Sequence, residues 1–547
     1  MITLCLVYVL SGFIGRSPWG NADITAFGYM LELAYPSHAN LDLWLQPSAF
    51  GLAPESPALL PYWLGAWAIA LGEGFLRPDV AVQLPFMGLL ALTLCTTWYA
   101  VYQLARSPQA QPVAFAFGGE ANPIDYARAV ADGGMLALLA CLGLALLSHE
   151  TTPASAQLCF VSLCYYGFSA LAYRSVLPVA ALGFGMVGLA LSGAPTLAAL
   201  LAVGGCAACA RSSAWALPRN RLFSLSAAAA MSLLACALSW WLDLWRWQLT
   251  LPPATWLEAR RFARLLLWFT WPAWPLALWT LWRWRHLLSA RAMPLHLTLP
   301  LWFAACCTVT ALLSAGSDRS LLLALPALAS LAAFALPTLK RSMSALIDWF
   351  TLLFFSGCAL CIWVVWIAMQ TGIPRAPAAN VAKLAPGFEP GFSLATFCAA
   401  VLATLAWSWL VRWRIRRNPA VIWKSLVLPA SGAVLSWFLL MSLWLPLLDY
   451  ARSYKVFVSR VTRETNDSPC LQVLGLTRAQ MTALRYHGNI QLTEAGRTQN
   501  TCTWLLVSAS SLTAQDPQVD LSSWRMHWQS KPRKATANKD DVILLKK

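Results

Sequence analysis

The stretch GNADITAFGYM (residues 20–30) carries one acid, Asp23, directly behind an apolar run. A lone carboxylate in that place can act as a general base that takes or orients a proton. It can equally cap a helix, because NAD ahead of an amphipathic run is an ordinary helix-start signal. Glu55, in ESPALLPYWLGA (55–66), is a second candidate, with Glu32 and Asp42 between the two. Cations able to meet a phosphate are Arg260, Arg261 and Arg264 in the loop 245–267, where 260 and 264 share one helix face. The competing reading makes them snorkelling anchors, partly neutralised by Glu258. Arg319, beside Asp318 in SAGSDRS (314–320), either closes a hairpin as an ion pair or belongs to a site; Lys383, in 371–391, is a further candidate cation.

The elements that must carry these side chains are set by composition. Of 547 residues 59% are hydrophobic and only 11% charged. Soluble chains average about 25% charged residues, so this is the composition of an integral membrane protein. The 30 tryptophans agree, since indole favours the membrane–water interface. A net charge of +16 invites a nucleic-acid reading. The charge is instead spread over short loops between apolar runs, at 211–221, 283–286, 340–342 and 412–419, which is the positive-inside pattern. No nucleic-acid partner is expected. The first apolar run, Ile2–Ile14, lacks a basic leader and a small-residue cleavage site and reads as a signal-anchor.

Apolar runs fall near 1–15, 81–104, 133–148, 155–172, 176–191, 196–210, 224–242, 263–281, 296–315, 319–337, 345–371, 392–411 and 421–447. With the basic loops inside, the chain after residue 447 lies outside, as do 149–155, 317–320 and 371–391. The segment 59–76 opens with prolines and an aromatic pair, which suits a juxtamembrane helix lying flat. Residues 16–80 then form one extracytoplasmic loop holding Asp23 and Glu55, and about thirteen helices span.

A single acid after the first span, a helical stretch, then ESPALLPYWLGA in the same loop resembles the bacterial GT-C glycosyltransferases, closest to the family-39 type that transfers 4-amino-4-deoxy-L-arabinose. LLWFTWPAWPLALWTLWR (266–283), SAGSDRSLLLALPALASLAAF (314–334) and LWLPLLDYARSY (443–454) extend the likeness. The chemical motif departs from the family's. Its first-loop Asp is followed by Glu and, two residues on, Arg; here Ile24, Thr25 and Ala26 follow Asp23. Its second signature pairs Glu with Lys before two prolines and Tyr-Trp; here Glu55 is followed by Ser56, with an inserted ALLP before Tyr62 and Trp63.

The resemblance implies an all-α polytopic core over 1–447 that takes a sugar from a polyprenyl-phosphate donor. The sugar passes to an envelope glycan, lipid or protein acceptor on the periplasmic side of the bacterial inner membrane. Asp23 and Glu55 would be the catalytic carboxylates, and Arg260, Arg261, Arg264, Arg319 and Lys383 the donor-phosphate cations. No cofactor is certain, and a divalent cation near Asp23 stays open. The missing Glu, Arg and Lys leave a second reading, a non-catalytic member that binds lipid-linked sugar or assists assembly. A transporter fits less well, because ionisable pairs within spans are scarce and no two-fold repeat is evident.

Other signals point to packing. GFGMVG (183–188) matches a dinucleotide fingerprint but lies inside an apolar run. CAAC (206–209) and Cys306–Cys307 sit among Ala and Leu, where cysteine acts as a small hydrophobe, and the six histidines are scattered, so no metal site is expected. Beyond residue 448 the chain turns polar. PCLQVLGL (469–476) reads as a strand, TRAQMTALRYHG (477–488) as a helix with a Thr cap and Gly stop, and CTWLLVSAS (502–510) as a strand. Residues 448–547 are thus expected to form a small extracytoplasmic α/β domain, with a Cys470–Cys502 disulfide and a disordered end at 530–547.

Overall fold

The computed structural model describes all residues except 37–41, 112–121, 175, 213–214, 216–217, 246–254, 289–293, 315–316, 416–423, 466–469, 496–501, 510–523 and 531–541. Much of the basic loops 211–221 and 412–419, and most of the tail expected to lack order, thus lie outside the described residues.

The chain is a helical membrane protein with a small C-terminal sheet domain. Among the described residues six helices are long and apolar enough to cross a bilayer: Pro78–Ala105, Arg221–Trp241, Leu295–Leu313, Ser342–Thr371, Leu394–Arg414 and Lys424–Leu443. Shorter apolar helices, including Ile2–Phe13, Val176–Leu191 and Pro195–Arg211, pack among them. Proline sits inside the helices at Pro85, Pro300 and Pro429, which a packed bundle tolerates because neighbours re-satisfy the freed backbone groups.

Two expected spans are broken. The run 263–281 divides into Trp256–Phe269 and Ala273–Arg283, because Pro272 between them has no N–H to continue the ladder. The run 133–148 becomes a helix Pro123–Ala140 that stops at the extended Cys141 and resumes as Leu144–Leu147. The amides freed at that break donate across it, Leu142 to the Trp271 carbonyl (3.1 Å) and Gly143 to the Phe269 carbonyl (2.9 Å). The two interruptions therefore satisfy each other.

The segment 16–80 folds as two helices, Gly20–Ala34 (the loop helix) and Leu60–Leu71. The second has 12 residues, about 18 Å at 1.5 Å per residue, well short of the ~30 Å hydrocarbon layer. It packs on the loop helix and on Pro78–Ala105.

After Leu443 two short helices, Leu445–Arg452 and Lys455–Glu464, lead into a five-stranded sheet. Its strands are β1 (Cys470–Leu474), β2 (Gln491–Glu494), β3 (Trp504–Ser508), β4 (Arg525–Gln529) and β5 (Val542–Lys546), in the order β2-β1-β3-β5-β4. β1 runs parallel to β2 and β3, while β5 pairs antiparallel with β3 and β4. Between β1 and β2 lies the helix Arg478–Gly488 (the docking helix), started by a Thr477/Gln480 capping box. Its stop is Asn489 in the left-handed conformation, not Gly488. The expected disordered end is corrected at its last residues. Val542 and Leu544 are buried against the sheet, so VILLK behaves as a core strand once β3 offers it an edge.

Cys470 and Cys502 are disulfide-bonded, with Cα atoms 5.5 Å apart and a sequence separation of 32. Closing a loop of that size restricts the unfolded chain, so Cys470→Ser with Cys502→Ser is expected to cost about 2–4 kcal/mol. Limited trypsin digestion of the detergent-solubilised protein during a thermal ramp would show it as earlier cleavage of the C-terminal domain. Unchanged cleavage would mean that the sheet does not depend on the bond.

Candidate active site

Asp23 lies in the first turn of the loop helix, three residues inside its start. The residue at the cap position is Trp19, and Asp23 reaches back to it, its Oδ2 accepting from the Trp19 amide at 3.0 Å. The simple N-cap reading is corrected in that respect, because Gly20 and Asn21 join the helix ahead of Asp23. Oδ2 also takes Arg16 Nη2 at 2.6 Å, and Oδ1 takes both the amide and the hydroxyl of Thr151 at 2.8 Å. Arg16 and Asp23 are only 3% and 2% exposed, so the ion pair is shut away from water. Four donors occupy the carboxylate, so a substrate hydroxyl could reach it only by displacing one of them.

Next to Thr151, Glu150 holds Arg319 through Nε (3.2 Å) and Nη2 (2.7 Å). Asp318 is a more distant partner of Arg319, at 3.8 Å. The expected hairpin pair Asp318–Arg319 is therefore secondary to a link across the bundle, which no spacing in the sequence reveals. Burial, with the Asp23 carboxylate nearby, pushes the Glu150 carboxyl up to about 7 against the pull of Arg319 and Arg16.

Around this core the chain following the last helix returns to the first loop. Asp449 accepts from the Ser17 amide and hydroxyl (both 3.2 Å), Trp19 Nε1 (3.0 Å) and Lys455 Nζ (2.9 Å). Burial alone would push the Asp449 carboxyl up, but these bonds outweigh it and hold it below its ordinary value. Tyr454 donates to Asn21 Oδ1. The guanidiniums of Arg16 and Arg452 lie 4.8 Å and 5.7 Å from the Trp19 ring centre.

Beside the loop helix opens a cavity of about 1010 Å³. Its polar end carries Asn21, Thr25, Glu55, Tyr62, Arg319 and Arg478. Leu197 and Leu200 from one helix, with Trp302, Val309 and Leu313 from another, make an apolar wall. Of the residues predicted from sequence, Glu55 and Arg319 thus meet in one space. Asp23 is not in the lining; its side chain turns away toward Arg16 and Thr151. Arg260, Arg261 and Arg264 are exposed on Trp256–Phe269, with Arg261 paired to Glu258, and they are not in the lining either. That helix does touch Asp318–Leu322, which carries Arg319. Lys383 is exposed on Arg375–Leu384, away from the cavity lining. Among the described residues no three His, Cys, Asp or Glu side chains are grouped so as to hold a metal ion.

Sequence reasoning missed Arg16, Glu150, Asp449, Arg452 and Arg478. A weak signal existed for some of them. Arg16 ends the first apolar run, HETTPAS holds the only acid in its loop, and LWLPLLDYARSY had already stood out as family-like.

A bundle with a helical loop after its first helix, a polar-headed cavity beneath that loop and a C-terminal sheet domain defines a multi-pass membrane protein of the GT-C fold. Compared with solved structures, the chain matches ArnT from Cupriavidus metallidurans. The form bound to undecaprenyl phosphate gives a TM-score of 0.62 at 14% identity, covering 100% of this chain and 96% of that one. The apo form gives 0.60 at 15% identity with the same coverage. At such identity the likeness is one of fold. No protein-family model and no curated protein matches the chain.

Two predictions follow from the charges. Arg16→Ala strands a buried carboxylate and is expected to destabilise the protein by about 3–5 kcal/mol, much of it restored by adding Asp23→Asn. Thermal melts of the three variants test this, and additive losses would contradict it. Glu150 holds its proton more tightly folded than unfolded. Its stabilising contribution is complete below the ordinary carboxylate range and lost as pH rises through about 7. Glu150→Gln should therefore flatten the fall in melting temperature between about pH 5 and 8. An equal or steeper fall in the variant would contradict the raised value.

Proposed function

We propose that the protein transfers a sugar from a polyprenyl-phosphate donor to a glycan, lipid or protein acceptor at the periplasmic face of a bacterial inner membrane. Residues 1–447 would form the core, with about thirteen spans, and residues 448–547 the periplasmic domain. The observation that carries this reading is the two-natured cavity. A guanidinium and a carboxylate stand at its head, and its apolar wall is partly open to the outside, Leu200 being 44% and Val309 52% exposed. A prenyl chain can lie along that wall while its phosphate stays at the head. The ArnT structure bound to undecaprenyl phosphate, of the same fold, supports a lipid-phosphate ligand of this kind.

In this reading the acceptor oxygen attacks the sugar's anomeric carbon from the face opposite the phosphate. The bond from that carbon to the phosphate oxygen breaks, and its electron pair leaves with the phosphate. The growing negative charge is met by Arg319, which is worth more in a partly desolvated cleft than in water. Glu55, in the lining, takes the acceptor proton. Asp23 orients: through Thr151 it fixes the turn that carries Glu150 and hence Arg319. Arg260, Arg261 and Arg264, on the helix touching Asp318–Leu322, would draw lipid phosphates toward the opening; Lys383, away from the lining, would add only to the overall positive field that attracts an anionic donor.

The saturation of Asp23 by four donors, together with Ile24, Thr25 and Ala26 in place of the family's acid and arginine, favours a second reading. In it the protein binds lipid-linked sugar without transferring it.

Mass spectrometry of envelope lipids and glycans from a deletion strain separates the two. Wild type is expected to restore a sugar-sized mass that well-expressed Arg319→Ala and Asp23→Asn do not. Equal rescue by Asp23→Asn would return that residue to a purely structural role. No sugar-sized mass under several growth conditions, with donor binding intact in vitro, would favour the non-catalytic reading.

A further inference from the structure

The cavity is not built by the membrane bundle alone. Arg478, the first residue of the docking helix, reaches its lining from the C-terminal domain, more than 400 positions beyond Glu55. We propose that Arg478 is a phosphate-binding residue of the cavity, so that the α/β domain supplies one of the two guanidiniums, with Arg319, that hold the anionic group of a substrate. The proposal rests on the lipid-phosphate reading above and adds a partner to it.

Three observations carry it. First, Arg478 gives Nη1 to Glu55 Oε1 at 3.2 Å, and Glu55 is 91% exposed in that pair while Arg478 is 25% exposed. Exposed ion pairs contribute about 0–1 kcal/mol, so an incoming phosphate can displace the glutamate at little cost. A guanidinium has five N–H donors in a planar fork suited to two phosphate oxygens, and Glu55 takes one of them.

Second, the backbone that carries the guanidinium is held in place independently of that pair. The Thr477 hydroxyl accepts from the Gln480 amide and Gln480 Oε1 accepts from the Thr477 amide at 2.9 Å, which fixes the first turn that carries Arg478. The docking helix is seated on the loop helix by other contacts. Arg485 pairs with Glu32, and Phe27 meets Tyr486 edge-on at 4.8 Å. Thr482 packs so closely on Gly28 that a Cβ there would lie 2.3 Å from its Oγ1. Releasing Glu55 would not release the domain.

Third, the neighbours of Arg478 are suited to an oxyanion. Burial pushes the phenols of Tyr29 and Tyr62 up, so both keep their protons across the physiological range; the Tyr29 hydroxyl donates to the Leu52 carbonyl at a long 3.4 Å, a bond an oxyanion can take over. Both line the cavity, with ring centres 5.2 Å apart. Glu55, freed from Arg478, is then available at the same mouth for the acceptor's hydroxyl.

The test is binding to the purified full chain in detergent, read by quenching of tryptophan fluorescence, since Trp245 and Trp302 line the cavity. The probes are undecaprenyl phosphate for the donor side and glucosamine 1-phosphate for a phosphorylated acceptor. Arg478→Ala is expected to weaken one of them by about tenfold or more, and the probe affected tells which substrate's phosphate it holds. Arg478→Lys should retain part of the binding. Arg485→Ala, which removes a docking contact outside the cavity, should change neither. Equal weakening by Arg478→Ala and Arg485→Ala would overturn the proposal, leaving a docking role alone. So would unaltered binding in Arg478→Ala. Failure of wild type to bind either probe would overturn the lipid-phosphate reading itself, and this inference with it.

Discussion

The buried pair of Arg16 and Asp23 is the constraint on which the rest of the site depends. Taking two charges out of water costs several kcal/mol per ion, and attraction alone rarely repays it. Here the debt is offset by further donors to Asp23, from the Trp19 amide and from both the amide and hydroxyl of Thr151. The pair therefore demands that three pieces of chain meet: the end of the first helix, the start of the loop helix and the turn at 149–152. A fourth is drawn in because Gln83 donates to the Arg16 carbonyl at 2.7 Å. Once these are fixed, the position of Glu150 follows from its peptide bond to Thr151, and Glu150 in turn holds Arg319 by a hydrogen-bonded ion pair.

A second layer of polar contacts ties the C-terminal chain to the same place. Asp449 gathers Ser17, Trp19 and Lys455, and Tyr454 reaches Asn21. Neither contact needs the membrane, yet both lie where the bundle ends. The consequence is a site whose polar head joins both ends of the chain to Glu150 and Arg319 between them, with its apolar wall also coming from the middle. Such an arrangement suits an amphiphilic ligand. The wall is made by side-chain packing between helices, which carries no charge preference. The head is made by paired ions whose partners lie far apart in sequence. One half can therefore vary in shape without disturbing the electrostatics of the other.

Much of the architecture was legible from residue order. Hydropathy placed most helices, the GT-C resemblance matched the fold, and the Thr477 cap and the first strand lay where turn chemistry put them. The misses share a physical cause. Pro272 and Cys141 break two apolar runs, and an apolar run does not reveal where its backbone bonds are handed to a neighbour. Val542–Lys546 is a strand only because β3 leaves an edge open, and no local property of VILLKK marks it apart from a greasy tail. Asp23 stood out from the start, but its four donors did not. Three come from residues 16 and 151, and nothing in their spacing announces the meeting.

Local chemistry in the sequence thus determined what kind of molecule this is: a membrane bundle, a helical first loop with acids and a polar C-terminal module. These follow from solubility and backbone propensity, which act on neighbouring residues. Only the tertiary structure decided which charges neutralise one another. It paired Asp23 with Arg16, Arg319 with Glu150 instead of the adjacent Asp318, and Glu55 with Arg478 of another domain. Charge pairing operates through space at a few ångströms, and only folding determines which residues come that close.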